Sequence, residues 1–213
     1  MSHRIEGPVA LLIGQGEMPV QCAKMLVRHG FDIAGVHSPD APLRAWAERN
    51  NNPNSFESFE HFRHWGETIL YDYLFSVVNF NILQPPLFGR ALRAAINYHD
   101  APLPRYAGSN ATEWALYNGE KEHGITWHII GEQVDAGDIL KQRTFPIDPG
   151  ETKASLDRKC YLYAMRAFDE LLRDLKVDRI ERTPQDLSRR TFYYRHQRPG
   201  ANPNGPSGRE GRP

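Results

Sequence analysis

A chain of 213 residues, 40% of them hydrophobic, is long enough to bury a core without staples, and two cysteines are too few for a disulfide framework. Its 26 Lys and Arg balance 26 Asp and Glu, so no global field draws in nucleic acid or an anionic membrane. No stretch approaches the ~20 apolar residues of a membrane span, and the first residues lack the basic lead and long apolar centre of a signal peptide. The expectation is a cytoplasmic protein with neither nucleic acid nor membrane as partner.

Pro8 to Ile13 (PVALLI) is a short apolar run closed by Gly14, the pattern of a buried strand. Residues 15–19 read as a turn. Val20 to His29 has helical spacing, with Gly30 as its C-terminal cap, and Phe31 to His37 reads as a second strand. This β-turn-α-β order implies a parallel sheet with a right-handed crossover. Pro42 to Asn50 reads as a second helix, and residues 50–58 as polar and turn-rich. Tyr71 to Val78 (YDYLFSVV) is a strong strand signal. A short helix over Pro85 to Arg93, a strand over Ala94 to Tyr98 and a helix over Glu113 to Asn118 follow. Gly124 to Ile130 is β-rich, and Ile139 to Pro146 reads as a further strand.

Thr152 stands as the N-cap of a long helix from Lys153 to about Leu175, along which Leu156, Cys160, Tyr163, Ala167, Leu171 and Leu175 keep helical spacing. After Arg182 the pattern fades, and from about 198 Pro, Gly and polar residues predict disorder. The fold class is α/β: a Rossmann-like, mostly parallel twisted sheet flanked by helices. A catalytic domain over 1–182 and a C-terminal extension over 183–213 are expected. Cys22 and Cys160 lie in apolar helical contexts and read as buried thiols. No Cys/His cluster suggests a metal.

The chemistry concentrates between Ile96 and Leu140. Asn97 and His99 lie two apart at the end of a predicted strand, so both side chains project to one face. Open parallel sheets place ligands at the carboxyl ends of their strands. There an amide can donate to a developing oxyanion, and an imidazole can move protons near neutral pH. Asp135, in the loop GEQVDAGD, is placed to accept from the other ring nitrogen and fix the tautomer. Each feature alone is weak, because strand-end histidines are mostly structural and Asp before Gly is mostly a turn residue. His123 reads as a surface turn and His128 as a structural residue on a sheet face. Gly14-Gln15-Gly16 invites a dinucleotide reading, but Pro19 stands where the third glycine is needed. The same turn is a candidate for an anionic part of a substrate.

In combination, INYHDAPLPRYAG, NGE, HGITWH and VDAGDIL resemble the folate-dependent formyltransferase family, in wording closest to the formyltransferases of nonribosomal peptide and siderophore pathways. The resemblance spans roughly Val9 to Leu175. It implies Asn97, His99 and Asp135 as the catalytic set, with Asp138 as the runner-up to Asp135. It implies 10-formyltetrahydrofolate as co-substrate, with no metal. The pterin slot is placed at Asn79, Phe80, Asn81, Ile82 and Leu83 together with Ile130 and Asp138, although Ile82 and Leu83 read equally well as core. The implied acceptor is a small-molecule amine or hydroxylamine of amino-acid type, free or bound to a carrier protein. An amino-sugar nucleotide is the alternative acceptor. Arg105 is a candidate acceptor contact, or a solvated arginine. A deformylase using water, and a non-catalytic Rossmann-like module, are the competing readings. The resemblance gives methionyl-tRNA enzymes a further C-terminal β-barrel, for which these 213 residues leave no room, so a shortened relative is expected.

Overall fold

In the computed structural model, which describes residues 7–200, the apolar run at the start forms strand β1 (Val9–Gly14), with five of its six residues buried. A strand buried on both faces needs continuous rather than alternating apolar residues. Helix α1 (Glu17–Arg28) starts three residues before the expected Val20. Glu17 favours the positive end of the helix dipole, and Pro19 sits in the first turn, where a backbone N–H is dispensable. Gly30 takes φ +81°, as the cap predicted.

Strand β2 (Asp32–His37), helix α2 (Ala41–Arg49), strand β3 (Ser55–Phe56) and helix α3 (Phe59–Gly66) follow. The stretch read as turn therefore contains β3, and α3 was not anticipated. The Ser58 hydroxyl caps α3 by accepting from the His61 N–H at 3.4 Å, and Phe62 and Trp65 pack their rings on Phe56. Strand β4 (Tyr71–Val77) leads to helix α4 (Pro85–Phe88), which ends five residues sooner than expected. Strand β5 (Ala91–His99) starts correspondingly early, because Ala91 already pairs with Tyr71. The remaining elements are β6 (Ala107–Gly108), α5 (Ala111–Tyr117), β7 (Glu122–Ile129), β8 (Ile139–Pro146), α6 (Lys153–Lys176), a 3-10 turn at Leu187–Arg189, and β9 (Phe192–Tyr193).

Seven strands form a sheet in the order β3-β2-β1-β4-β5-β7-β8, and β6 pairs with β9. The pairs β2–β3, β1–β2, β1–β4 and β4–β5 are parallel, whereas β7 and β8 run antiparallel. This is the Rossmann-like α/β architecture expected. By compactness the chain divides into two units, one of residues up to Tyr98 with Phe168–Ile180, the other of His99–Ala167 with residues from Glu181 on.

In the first unit Leu11, Leu12 and Ile13 are fully buried; a fully buried aliphatic side chain contributes about 1.5–3 kcal/mol. In the same unit Phe31 packs tilted on Tyr73 and edge-on to Phe75, Tyr73 stacks on Phe75, and Phe168 meets Phe75 edge-on. In the second unit the fully buried Trp127 donates its indole N–H to the Ala164 carbonyl at 3.1 Å. A cluster of Ala101, Tyr106, Ala111, Ala115 and Tyr193 forms in the same unit, with Trp114 and Ile147 packed against it.

Thr152 caps α6 as expected, its hydroxyl accepting from the Ser155 N–H at 3.2 Å. The described part of the expected C-terminal extension is tied into the second unit. Thr183 bridges Ile139, and Tyr193 stacks between Tyr106 and Trp114 with centroids 5.7 and 4.4 Å away. These ties are made by a few polar and aromatic groups, not by a periodic apolar face, which is why the pattern faded there. The disorder expected from about 198 falls largely on residues 201–213, outside those described. Among the described residues, no helix is long and apolar enough to cross a membrane.

Candidate active site

His99 closes β5. Its strand buries Ala94–Ile96, leaves Asn97 half-buried and buries His99 to 6% exposure. The ring Nε2–H donates to the Tyr106 carbonyl at 2.7 Å. That bond fixes the tautomer and leaves Nδ1 as the basic nitrogen of the neutral ring. Nδ1 lies 3.7 Å from Asp135 Oδ2 and 3.9 Å from Asp100 Oδ1. The triad-like hydrogen bond expected from Asp135 is therefore not formed, since 3.7 Å is beyond hydrogen-bond reach. The tautomer is set by a backbone carbonyl, and Asp135 acts on the ring through its charge.

Asp135 is itself buried and held in the left-handed region at φ +53°. Oδ2 accepts the Gly108 N–H at 2.9 Å, and Oδ1 lies 3.3 Å from His128 Nε2. The loop backbone is gripped as well. The Gln185 amide donates to the carbonyls of Asp135 (3.0 Å) and Gly137 (2.7 Å), and Arg190 donates to that of Val134 (2.8 Å). Gly137 permits the close passage: a Cβ there would stand 2.0 Å from the Ile129 carbonyl oxygen.

Burial is the largest single influence on both groups and opposes charge on each. On His99 it is outweighed by the carboxylates of Asp135 and Asp100 and by the Tyr106 carbonyl, so the pKa is raised. On Asp135 it is outweighed by His99, by His128 and by the Gly108 N–H, so the carboxyl is held below its ordinary range. Each partner thus favours the other's charged form.

His123 is not the surface residue expected. It is fully buried, its Nε2–H donates to the Asp100 carbonyl at 2.8 Å, and Nδ1 has no hydrogen-bond partner. Burial, followed by the opposing pull of Asp100, leaves its pKa lowered. The cause is that β7 begins at Glu122 and is buried continuously from His123 to His128, which packs the His123 ring against Tyr106 and Phe145.

The residues assigned to the donor fall in both units. Asn79, Phe80, Asn81, Ile82 and Leu83 follow β4 in the first unit, after Val78 at φ +53°. The Asn79 side chain bonds both the Asn81 carbonyl and the Asn81 N–H, each at 3.0 Å. Phe80 and Ile82 are 55% and 69% exposed, so the core reading of Ile82 is incorrect. Ile130 and Asp138 belong to the second unit; the Asp138 carbonyl accepts from the Ile129 N–H at 2.9 Å. The structure brings His99 and Asp135 together, and Asn97 precedes His99 by two residues on β5.

One further expectation changes. The Gly16 N–H at the head of α1 donates to Asp40 Oδ2 at 2.7 Å, and the Ser38 hydroxyl donates to Asp40 Oδ1 at 2.6 Å. A carboxylate of the chain itself thus fills the position read as an anion site. Arg105 pairs with Glu120 and lies 5.3 Å from the centroid of the Tyr106 ring, with its side chain 39% exposed.

The chain matches the model described as formyl transferase over residues 33–170. It belongs to the formyl transferase family. A methionyl-tRNA formyltransferase of Thermotoga sp. (strain RQ2) is 29% identical over 202 residues, covering 85% of this chain and 63% of that protein. The chain therefore spans less than two thirds of the length of this curated relative. Glycinamide ribonucleotide transformylase 1 from Symbiobacterium toebii shares the fold at TM-score 0.71 and 23% identity, over 84% of this chain and 93% of its own. So does the N-formyltransferase from Helicobacter canadensis in complex with folinic acid and dTDP-3-aminofucose, at TM-score 0.71 and 20% identity, over 87% and 70%.

In this formyl transferase family member the site contains groups that the sequence reading had not assigned. Asp100 and His128 were visible as letters, but nothing in their spacing distinguished them from turn and sheet residues. The Tyr106 carbonyl and the Gly108 N–H are backbone groups without any side-chain signature. Gln185 lies beyond the matched residues, in a stretch without periodicity.

Proposed function

We propose that this chain transfers a formyl group from 10-formyltetrahydrofolate to a primary amine or hydroxylamine of amino-acid type, free or carrier-bound, with residues 1–182 as the transfer domain. The observation that carries the reading is the buried His99 imidazole, its Nε2–H held by the Tyr106 carbonyl and its Nδ1 turned toward Asp135.

An ammonium has no lone pair, so the acceptor attacks as the neutral amine. His99 Nδ1 takes one N–H proton of that amine as the new nitrogen–carbon bond forms at the formyl carbon. General-base help of this kind is worth about 10²–10⁴ in rate. Asn97 donates to the oxygen that becomes negative, a contribution of about 3–4 kcal/mol in comparable sites. When the intermediate collapses, the bond from carbon to folate N10 breaks, and N10 receives the proton that His99 holds. The carboxylates of Asp135 and Asp100 favour the imidazolium between these two transfers.

Asn79, Phe80, Asn81, Ile82, Leu83, Ile130 and Asp138 are assigned to the donor. Support comes from the position of Phe80 and Ile82, two exposed apolar side chains in the segment that follows β4, since open parallel sheets take their ligands at the carboxyl ends of their strands. The named substrates of the relatives differ widely, so the amino-acid-type acceptor rests on the wording of the sequence.

The test is incubation of the chain with 10-formyltetrahydrofolate and a panel of amines: amino acids, a hydroxyornithine and an amino-sugar nucleotide. Mass spectrometry should show a single formyl gain on an amino-acid-type amine, and His99→Ala should lose it while still binding folate. Gain only on the sugar nucleotide would overturn the acceptor class. Donor consumption without any formylated amine would overturn the transferase reading in favour of hydrolysis.

A further inference from the structure

We propose that Gln185 is a positioning residue, whose side-chain amide holds the Asp135 loop so that the carboxylate faces His99. Its catalytic consequence rests on the function proposed above; its geometry does not. The amide N–H2 group has two donors, and both are used on one loop, at the carbonyls of Asp135 and Gly137. Those carbonyls flank the bend that begins at the left-handed Asp135. A non-glycine residue keeps that conformation only where its surroundings impose it. The Gln185 Oε1 is buried without a hydrogen-bond partner. An orphaned acceptor is unfavourable, so the amide is held there by its donor side.

The same segment reaches the other partner of the imidazole. The Thr191 hydroxyl accepts the Tyr106 N–H at 2.7 Å, and the Thr191 carbonyl accepts the Ala107 N–H at 2.9 Å. The Tyr106 carbonyl, which receives the His99 Nε2–H, is thus held from the segment that carries Gln185. Arg190 adds its bond to the Val134 carbonyl. Residues 185–193 act as a strap across two loops, setting the hydrogen-bonded side of His99 through Tyr106 and its charged side through Asp135. The strap lies outside the residues 33–170 that match the family model.

The His99 titration, followed by NMR of the ring in the full chain, reads this directly. The groups that bear on the ring are Asp135, Asp100, His123 and the Tyr106 carbonyl. Wild type should titrate above the free-histidine value of ~6.5. Gln185→Leu should lower the midpoint, as Asp135→Asn does, and the double variant should shift no further than Asp135→Asn alone. Should Gln185→Leu fail to fold, Gln185→Asn keeps the amide on a stem one methylene shorter and carries the same test. With an active amine, Gln185→Leu should lower kcat about 10- to 100-fold with little change in donor KM, the scale of a misplacement near 1 Å. A folded variant whose His99 titrates as wild type, or a shift that persists in the Asp135→Asn background, overturns the strap. Failure of wild type to formylate any amine would sink the proposed function and leave the titration result standing.

Discussion

At the scale of single residues, His99 and Asp135 are each pulled one way by burial and the other way by neighbouring charges and hydrogen bonds, which prevail on both. Burial would neutralise both, and their mutual attraction keeps both ready to charge. The consequence for activity has a definite sign. A general base must be neutral to accept a proton, so the rate should rise with pH along a limb centred above the free-histidine ~6.5. Asp135→Asn removes the favourable charge while leaving the ring buried. The limb should then move to lower pH, and the plateau should fall because the imidazolium loses its nearest carboxylate. Rates of amine formylation between pH 5 and 9 for the two proteins decide this. A limb that stays in place would mean that Asp135 exerts no charge on the base.

Between elements, the site depends on a two-residue ladder. β6 and β9 pair Ala107 with Phe192 and Gly108 with Tyr193. Gly108 has φ +93°, and a Cβ there would stand 2.2 Å from the Tyr193 carbonyl oxygen. Gly108→Ala should therefore cost about 1–3 kcal/mol in backbone strain alone, read as a lower urea midpoint. It should also reduce formylation, since the Gly108 N–H supports Asp135. Unchanged stability would show that the β6–β9 ladder gives way without consequence.

This ladder was also the part least legible in advance. β1, β4 and α6 could be read from apolar runs and helical spacing, and the candidate pair His99 and Asp135 from its order along the chain. α3 escaped because FEHFRHWG buries only Phe62 and Gly66, with its rings packed sideways on Phe56 rather than along a stripe. The strap escaped because its grip is made by one amide, one guanidinium and one hydroxyl on backbone carbonyls and N–H groups, which no periodicity records.

For the molecule as a whole, each compact unit carries its own reporter, Cys22 in the first and Cys160 in the second, both free and buried. Burial pushes both thiols up, and a buried protonated thiol is a poor nucleophile. Neither should alkylate in the native chain, and both should react on denaturation. Rapid native labelling of one would show that its unit opens.

Stability against pH tests the site at the same scale. Asp135 has a depressed folded value, so its contribution is present above the unfolded carboxylate ~3.9 and is lost as pH falls through the folded value. His99 has a raised folded value, so its contribution is full below ~6.5 and is lost as pH rises through the folded value. The pair therefore contributes most between ~4 and ~6.5. Glu60 and Asp186, also depressed, are solvent-exposed and contribute little. The unfolding free energy of wild type minus that of Asp135→Asn, from urea melts at pH 3 to 9, should peak inside that window and narrow on both sides. A difference constant across the range would show that Asp135 supports the fold by its hydrogen bonds alone, and that the carboxylate and the imidazole are not coupled.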